Sequence, residues 1–144
     1  MLEKMKELIR EKDFCVLATV LENEPHCSLM AYTTDDRGDE VYLTTSRGTS
    51  KYRNIQENQH VSLLIDTRAD NLEYPLTQGK ALTVKGVCTE IEEPDKQERV
   101  RSLFLKMHPE MKDFLANPEV VFLRVKAVSY QLLEGLTESS YEVV

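Results

Sequence analysis

Six runs of this chain are rich in β-branched and apolar residues and are bounded by turn residues, which is the pattern of strands. They are "FCVLATVLE" (14–22), "HCSLMAYTT" (26–34), "EVYLTT" (40–45), "HVSLLID" (60–66), "GKALTVKGVCTEIEE" (79–93) and "EVVFLRVKAVSYQLLEG" (119–135). The connections between them are short. "NEP" after the first run is a turn signal, and "DDRGD" between the second and third supplies Asp and Gly for a hairpin, so the first three runs are expected to form an antiparallel meander. The long fifth run is expected to bend at Gly86.

Only three stretches carry helical spacing. Residues 2–12 place Leu2, Met5, Leu8 and Ile9 on one face between charges. Residues 49–58, "TSKYRNIQEN", begin with a hydroxyl and end with an asparagine, which are start and stop signals. Residues 94–108 open on a proline and put Val100, Leu103, Phe104 and Met107 on one face. Segment 67–78 reads as loop. The order is thus helix, three strands, short helix, two strands, helix, strand. Mostly antiparallel strands with a few covering helices imply a mainly β fold, a closed or nearly closed barrel with a sandwich as the alternative. At 144 residues, with no repeat or linker, one domain over 1–144 is expected.

Charge narrows the partners. With 25 acidic and 18 basic residues the chain is formally −7, which repels nucleic acid backbones and anionic lipid. The N-terminal "MLEKMKELIREKDF" has no uninterrupted apolar stretch, so neither a signal peptide nor a membrane span is expected there and a cytoplasmic location is. Cys15, Cys27 and Cys88 form no C-x-x-C pair and lie among strand residues, so all three are expected to be buried, reduced and inert, and no metal site is expected. His26, His60 and His108 stand at element ends, where structural or solvated roles are commonest. Tyr130 and Phe122 in the last run are expected in the core before any ligand site.

One window asks for a chemical explanation. "LTTSRGTSKYRNIQEN" (43–58) packs hydroxyls and cations between a strand and a short helix. A phosphate monoester needs helix N-terminal amides, hydroxyl donors and a fixed cation. Ser46, Thr49 and Ser50 are the donors, Arg47 and Lys51 the cations, and Gly48 lets the backbone approach closely. The alternative is that Thr49 or Ser50 simply caps a helix whose Lys51 and Arg53 are solvated. The window is neither G-x-x-x-x-G-K-[ST] nor G-x-G-x-x-G, so nothing in it argues for a nucleoside triphosphate or a Rossmann dinucleotide.

Residues 14–66, taken as the succession L-A-T strand, proline turn, second strand, aromatic-and-threonine strand, G-S-x-K-type turn (here Gly48-Thr49-Ser50-Lys51), short helix with an asparagine, and V-S-L-L strand, resemble the FMN-binding split-barrel family that includes pyridoxamine 5′-phosphate oxidase. The resemblance implies a split β-barrel and a homodimer with FMN at the subunit interface. Matched position by position, it implies that Lys51 binds the phosphate with Thr49 and Ser50 beside it, and that Thr44 and Thr45 end the preceding strand. It also implies that the backbone of Met30, Ala31 and Tyr32 runs along the isoalloxazine ring.

The match has gaps. Where the vitamin B6 oxidases carry an arginine and a lysine on the second strand, this chain has Ser28 and Thr33, so Arg47 or Arg53 is expected to supply the charge. No arginine follows Arg124, whereas those oxidases use one near the C-terminus for substrate phosphate, and pyridoxamine phosphate oxidation is not expected. What the resemblance leaves is an FMN-dependent oxidoreductase acting on a small molecule, with no catalytic side chain required. Its rivals are a non-enzymatic flavin or haem binder on the same barrel and a deazaflavin-dependent reductase.

Overall fold

The computed structural model describes residues 1–70 and 72–144. Helix α1 (Leu2–Glu11) precedes β1 (Phe14–Leu21), β2 (Glu24–Ala31), the two-residue β3 (Thr33–Thr34) and β4 (Glu40–Ser46). Helix α2 (Ser50–Glu57), β5 (His60–Asp66), a single helical turn α3 (Pro75–Gln78) and β6 (Lys80–Glu90) follow. Helix α4 (Pro94–Met107), the short α5 (Lys112–Leu115), β7 (Val120–Glu134) and β8 (Glu138–Val143) complete the order. No described helix is long and apolar enough to cross a membrane.

The strands form one antiparallel sheet in the order β2-β1-β5-β6-β7-β4-β3, with β8 also paired to β7. This sheet curls into a split barrel. Its bend lies at Lys85/Gly86, where the β6–β7 register slips by one residue. A Cβ at Gly86 would stand 2.6 Å from the Lys126 carbonyl oxygen, so only glycine fits there. Inside the curl Leu17, Leu43, Leu63, Ile65, Leu82, Leu123 and Leu132 meet Met5, Leu8 and Ile9 from the apolar face of α1. A second cluster lies under α4, where Val100 and Phe104 pack on Tyr42, Ile91, Leu115 and Phe122. Tyr130 and Phe122 are both buried core residues.

Four sequence expectations need correction. The run 26–34 is not one strand, because Tyr32 turns inward between β2 and β3: its ring is fully buried, its hydroxyl donates to the Ile9 carbonyl at 2.6 Å and its N–H to the Asp13 carbonyl at 2.9 Å. Consequently β2 pairs only with β1, only Thr33–Thr34 pairs with β4, and the expected meander stops at its first hairpin. Cys27 is exposed, since it faces outward opposite Ala18 on an edge strand with nothing over it; Cys15 and Cys88 are buried. Met107 is 44 % exposed and lies outside the α4 cluster. Finally, "ESSYEV" forms β8, an edge strand whose polar alternation carries little strand signal, entered through Gly135 at φ +65°.

Candidate functional site

Antiparallel pairing leaves every second backbone N–H and C=O of an edge strand without a ladder partner. Two such edges face each other here. β2 has a ladder only on its β1 side, and β4, fully paired to β7 on one side, meets only β3 on the other, through Val41 and Tyr42. Between them, Leu29, Met30 and Ala31 of β2 and Thr44, Thr45 and Ser46 of β4 line a cleft of about 290 Å³. Thr49 and Lys51 from the start of α2 line it too, and Met111 and Phe114 from the α4–β7 connection form its remaining wall.

The local sequence explains how α2 is aimed. Thr49 caps it: the Thr49 hydroxyl accepts from the Tyr52 N–H at 3.2 Å, lies 2.8 Å from the Thr45 hydroxyl and donates to the Ser46 carbonyl at 3.0 Å. Asn54 and Ile55 then dock the helix inward, Asn54 Nδ2 donating to the buried Thr19 hydroxyl at 3.1 Å. The amides of Ser50 and Lys51 keep no acceptor among the described residues, as the first amides of a helix do.

The two candidate cations separate. Arg47 turns away from the cleft, donating to the Pro118 carbonyl at 3.2 Å and standing 4.0 Å from the Glu90 carboxylate. Lys51 lines the cleft and makes no ion pair among the described residues. Ser46 is in the same state, its hydroxyl without a hydrogen bond among the described residues, whereas the Thr44 hydroxyl is committed to the Val121 carbonyl at 2.9 Å. An uncompensated ammonium, a free hydroxyl and free helix amides beside one cleft suit an anion the size of a phosphate.

Of the ten residues singled out in the sequence, the cleft brings together Met30, Ala31, Thr44, Thr45, Ser46, Thr49 and Lys51. Tyr32 is interior, Ser50 is exposed on the first turn of α2, and Arg47 belongs to the polar pocket behind Pro118. Arg53 is exposed and lines nothing here. Leu29, Met111 and Phe114 escaped sequence reading. Leu29 follows from the edge position of β2, but the other two come from a non-periodic turn some sixty residues beyond Lys51 and have no local signal.

Among the described residues that line the cleft there is no histidine, cysteine, aspartate or glutamate. Burial pushes the thiols of Cys15 and Cys88 up to about 12, which keeps both protonated. The Tyr52 phenol is raised chiefly by its hydrogen bond to Glu90, at 2.6 Å. The lining combines an unpaired cation and hydroxyl with apolar walls and two backbone edges that lack ladder partners.

A family model described as pyridoxamine 5′-phosphate oxidase matches residues 1–133. A pyridoxamine 5′-phosphate oxidase homolog of Schizosaccharomyces pombe is 23 % identical, over 91 % of this chain and 84 % of its own. A heme binding protein from Mycobacterium smegmatis superposes with a TM-score of 0.85 at 18 % identity, over 98 % of this chain and 57 % of its own. This chain therefore spans little more than half the length of that protein. A FAD-binding protein from Mesorhizobium loti superposes at 0.70 with 14 % identity, over 90 % of this chain and 91 % of its own.

Proposed function

The chain belongs to the pyridoxamine 5′-phosphate oxidase family, and on that premise we propose that it is an FMN-binding homodimer that acts as an oxidoreductase on a small molecule. One observation carries the reading: Lys51 stands in the cleft without a counter-ion while Arg47, four residues earlier, is committed to protein groups. An unpaired cation next to the positive end of a helix can take up an anion without first giving up a protein partner.

The lining fits FMN from end to end. Lys51, the Ser46 hydroxyl and the first amides of α2 would bind the phosphate. The open edges of Met30–Ala31 and of β4 would hydrogen-bond the rim of the ring, and Leu29, Met111 and Phe114 would cover its apolar part and exclude water. Bound flavin supplies the electron-transfer chemistry, and the chain supplies binding and orientation, in keeping with a lining without histidine, cysteine, aspartate or glutamate among the described residues.

The outer face of β1, β2 and β5 supports the dimer. Leu29 is 77 % exposed there, beside Phe14 and Leu64, an apolar surface that a second copy would cover. Haem is the second reading because of the heme binding neighbour; among the described residues no histidine, cysteine or tyrosine lines the cleft, and Met30 and Met111 are its side chains of a type that ligates haem iron.

The purified protein is expected to show a flavin spectrum, or to quench added FMN stoichiometrically, and to be bleached anaerobically by NADH or NADPH. Light scattering should give twice the 16.6 kDa chain mass. A Soret band would transfer the cleft to haem. A colourless protein that quenches no flavin overturns the proposal.

A further inference from the structure

We infer that His108, which does not line the cleft, is a positioning residue for it: one hydrogen bond from its imidazole holds the Met111–Phe114 wall at a fixed distance from the β2 wall. The inference rests on the flavin reading above. His108 is 4 % exposed, and its Nε2 lies 3.0 Å from the Tyr32 carbonyl. A carbonyl only accepts, so Nε2 carries the proton.

Each end of this bond belongs to a different wall. Tyr32 directly follows Ala31 and is immobilised by its own hydroxyl and amide bonds to Ile9 and Asp13, which makes it a rigid anchor. His108 ends α4, its N–H donating to the Phe104 carbonyl at 2.7 Å, and its carbonyl accepts from the Met111 N–H at 3.0 Å. The imidazole is further clamped by the Phe14 ring edge-on at 5.4 Å and by Phe104 at 6.2 Å.

Seven residues on, Leu115 is buried in the α4 cluster and its carbonyl accepts from Arg101, whose guanidinium lies over the Phe122 ring. The segment between is thus held at both ends, with Met111 also packed against the second core and Met111 and Phe114 facing the cleft. The Leu115 end rests on the second core and the His108 end on Tyr32, the residue that directly follows the strand carrying Met30 and Ala31. Among the described residues, the His108 end makes the hydrogen bond that joins this segment to the β2 side. Removing its donor leaves the buried Tyr32 carbonyl unsatisfied and lets that end of the segment lift.

Two variants separate this role from general packing. His108→Phe keeps a ring between Phe14 and Phe104 but has no donor, and His108→Gln keeps a donor near the Nε2 position. With His108→Phe, FMN and riboflavin should both dissociate about five- to tenfold faster in stopped-flow fluorescence, by the same factor, because a wall and not the phosphate is affected. His108→Gln should restore rates to within about threefold of wild type. Amide exchange without ligand should accelerate over residues 109–116 in His108→Phe and stay unchanged in β5, β6 and β7. Wild-type release rates in His108→Phe, or exchange raised uniformly across the barrel, would reduce His108 to a packing residue and overturn the inference. If the wild-type protein binds neither flavin, the functional reading fails, and the ligand-free exchange decides the pin by itself.

Discussion

The two sides of this barrel use backbone hydrogen bonding in opposite ways. Along β5, β6 and β7 the ladders run unbroken for most of each strand, and Leu63, Leu82 and Leu132 beneath them are fully buried or nearly so. Between β2 and β4 the ladder is missing, and the hydroxyls and ammonium gathered there are partly unpartnered. The difference is physical. A closed ladder returns a partner for every amide taken from water, so that side contributes stability. The open seam withholds partners, so its free edges and Lys51 are available to a ligand.

A substitution on the closed side should therefore change stability and leave affinity alone. Leu63→Ala, at a fully buried β5 position, is expected to cost about 2 to 5 kcal/mol in urea unfolding. Flavin affinity of the folded fraction should stay within about twofold, less than about 0.5 kcal/mol. A stable variant with lost affinity would show that the two sides are not separable.

The reverse holds for Lys51→Ala. Its loss should weaken FMN binding about ten- to a hundredfold, since a charge-assisted hydrogen bond is worth about 1.5 to 3 kcal/mol. Stability should move by no more than about 0.5 kcal/mol, as for other surface positions without partners. Riboflavin lacks the phosphate and should bind wild type and variant alike. Unchanged FMN affinity in a fluorescence titration would reduce Lys51 to a solvated helix residue.

Thr49 joins both roles. Thr49→Ala removes the cap of α2 and the contact with Thr45, at about 1 kcal/mol of stability, and Thr49→Ser should recover most of it. Thermal unfolding of the two variants measures this, and a Thr49→Ala midpoint equal to wild type would show that the cap is dispensable.

The smallest effect concerns the thiols. Cys27 on the open edge should react with Ellman's reagent in the native protein at pH 8. Cys15 and Cys88, buried and held protonated up to about 12, should react only after unfolding. Their raised folded values also mean that stability is full below the ordinary thiol value of 9.0 and declines as pH climbs toward 12. Native labelling of Cys15 would show β1 to be looser than its burial implies. Protection of Cys27 that disappears on dilution would put it under the second copy.

Much of this molecule is legible in the residues alone, because the signals are local. Thr49 before "SKYRNIQE" marks a capped helix, Gly86 marks a bend, the apolar period of 2–11 marks a covering helix, and Lys51 near the start of α2 marks a candidate anion site. Each depends on interactions a few residues long, which is the range over which propensity and spacing act.

Other features depended on the tertiary structure. Nothing around Tyr32 says that its ring will turn inward to Ile9 and end β2 there, which is what opens the seam. Arg47 and Lys51 look equivalent in sequence, and only the arrival of Pro118 and Glu90 beside Arg47 removes it from the cleft. Met111 and Phe114 reach the site because His108 and Leu115 are anchored to distant elements. In each case the deciding partner lies more than twenty residues away or comes from another element. Its contact is selected by the packing of the whole core, which no local pattern encodes.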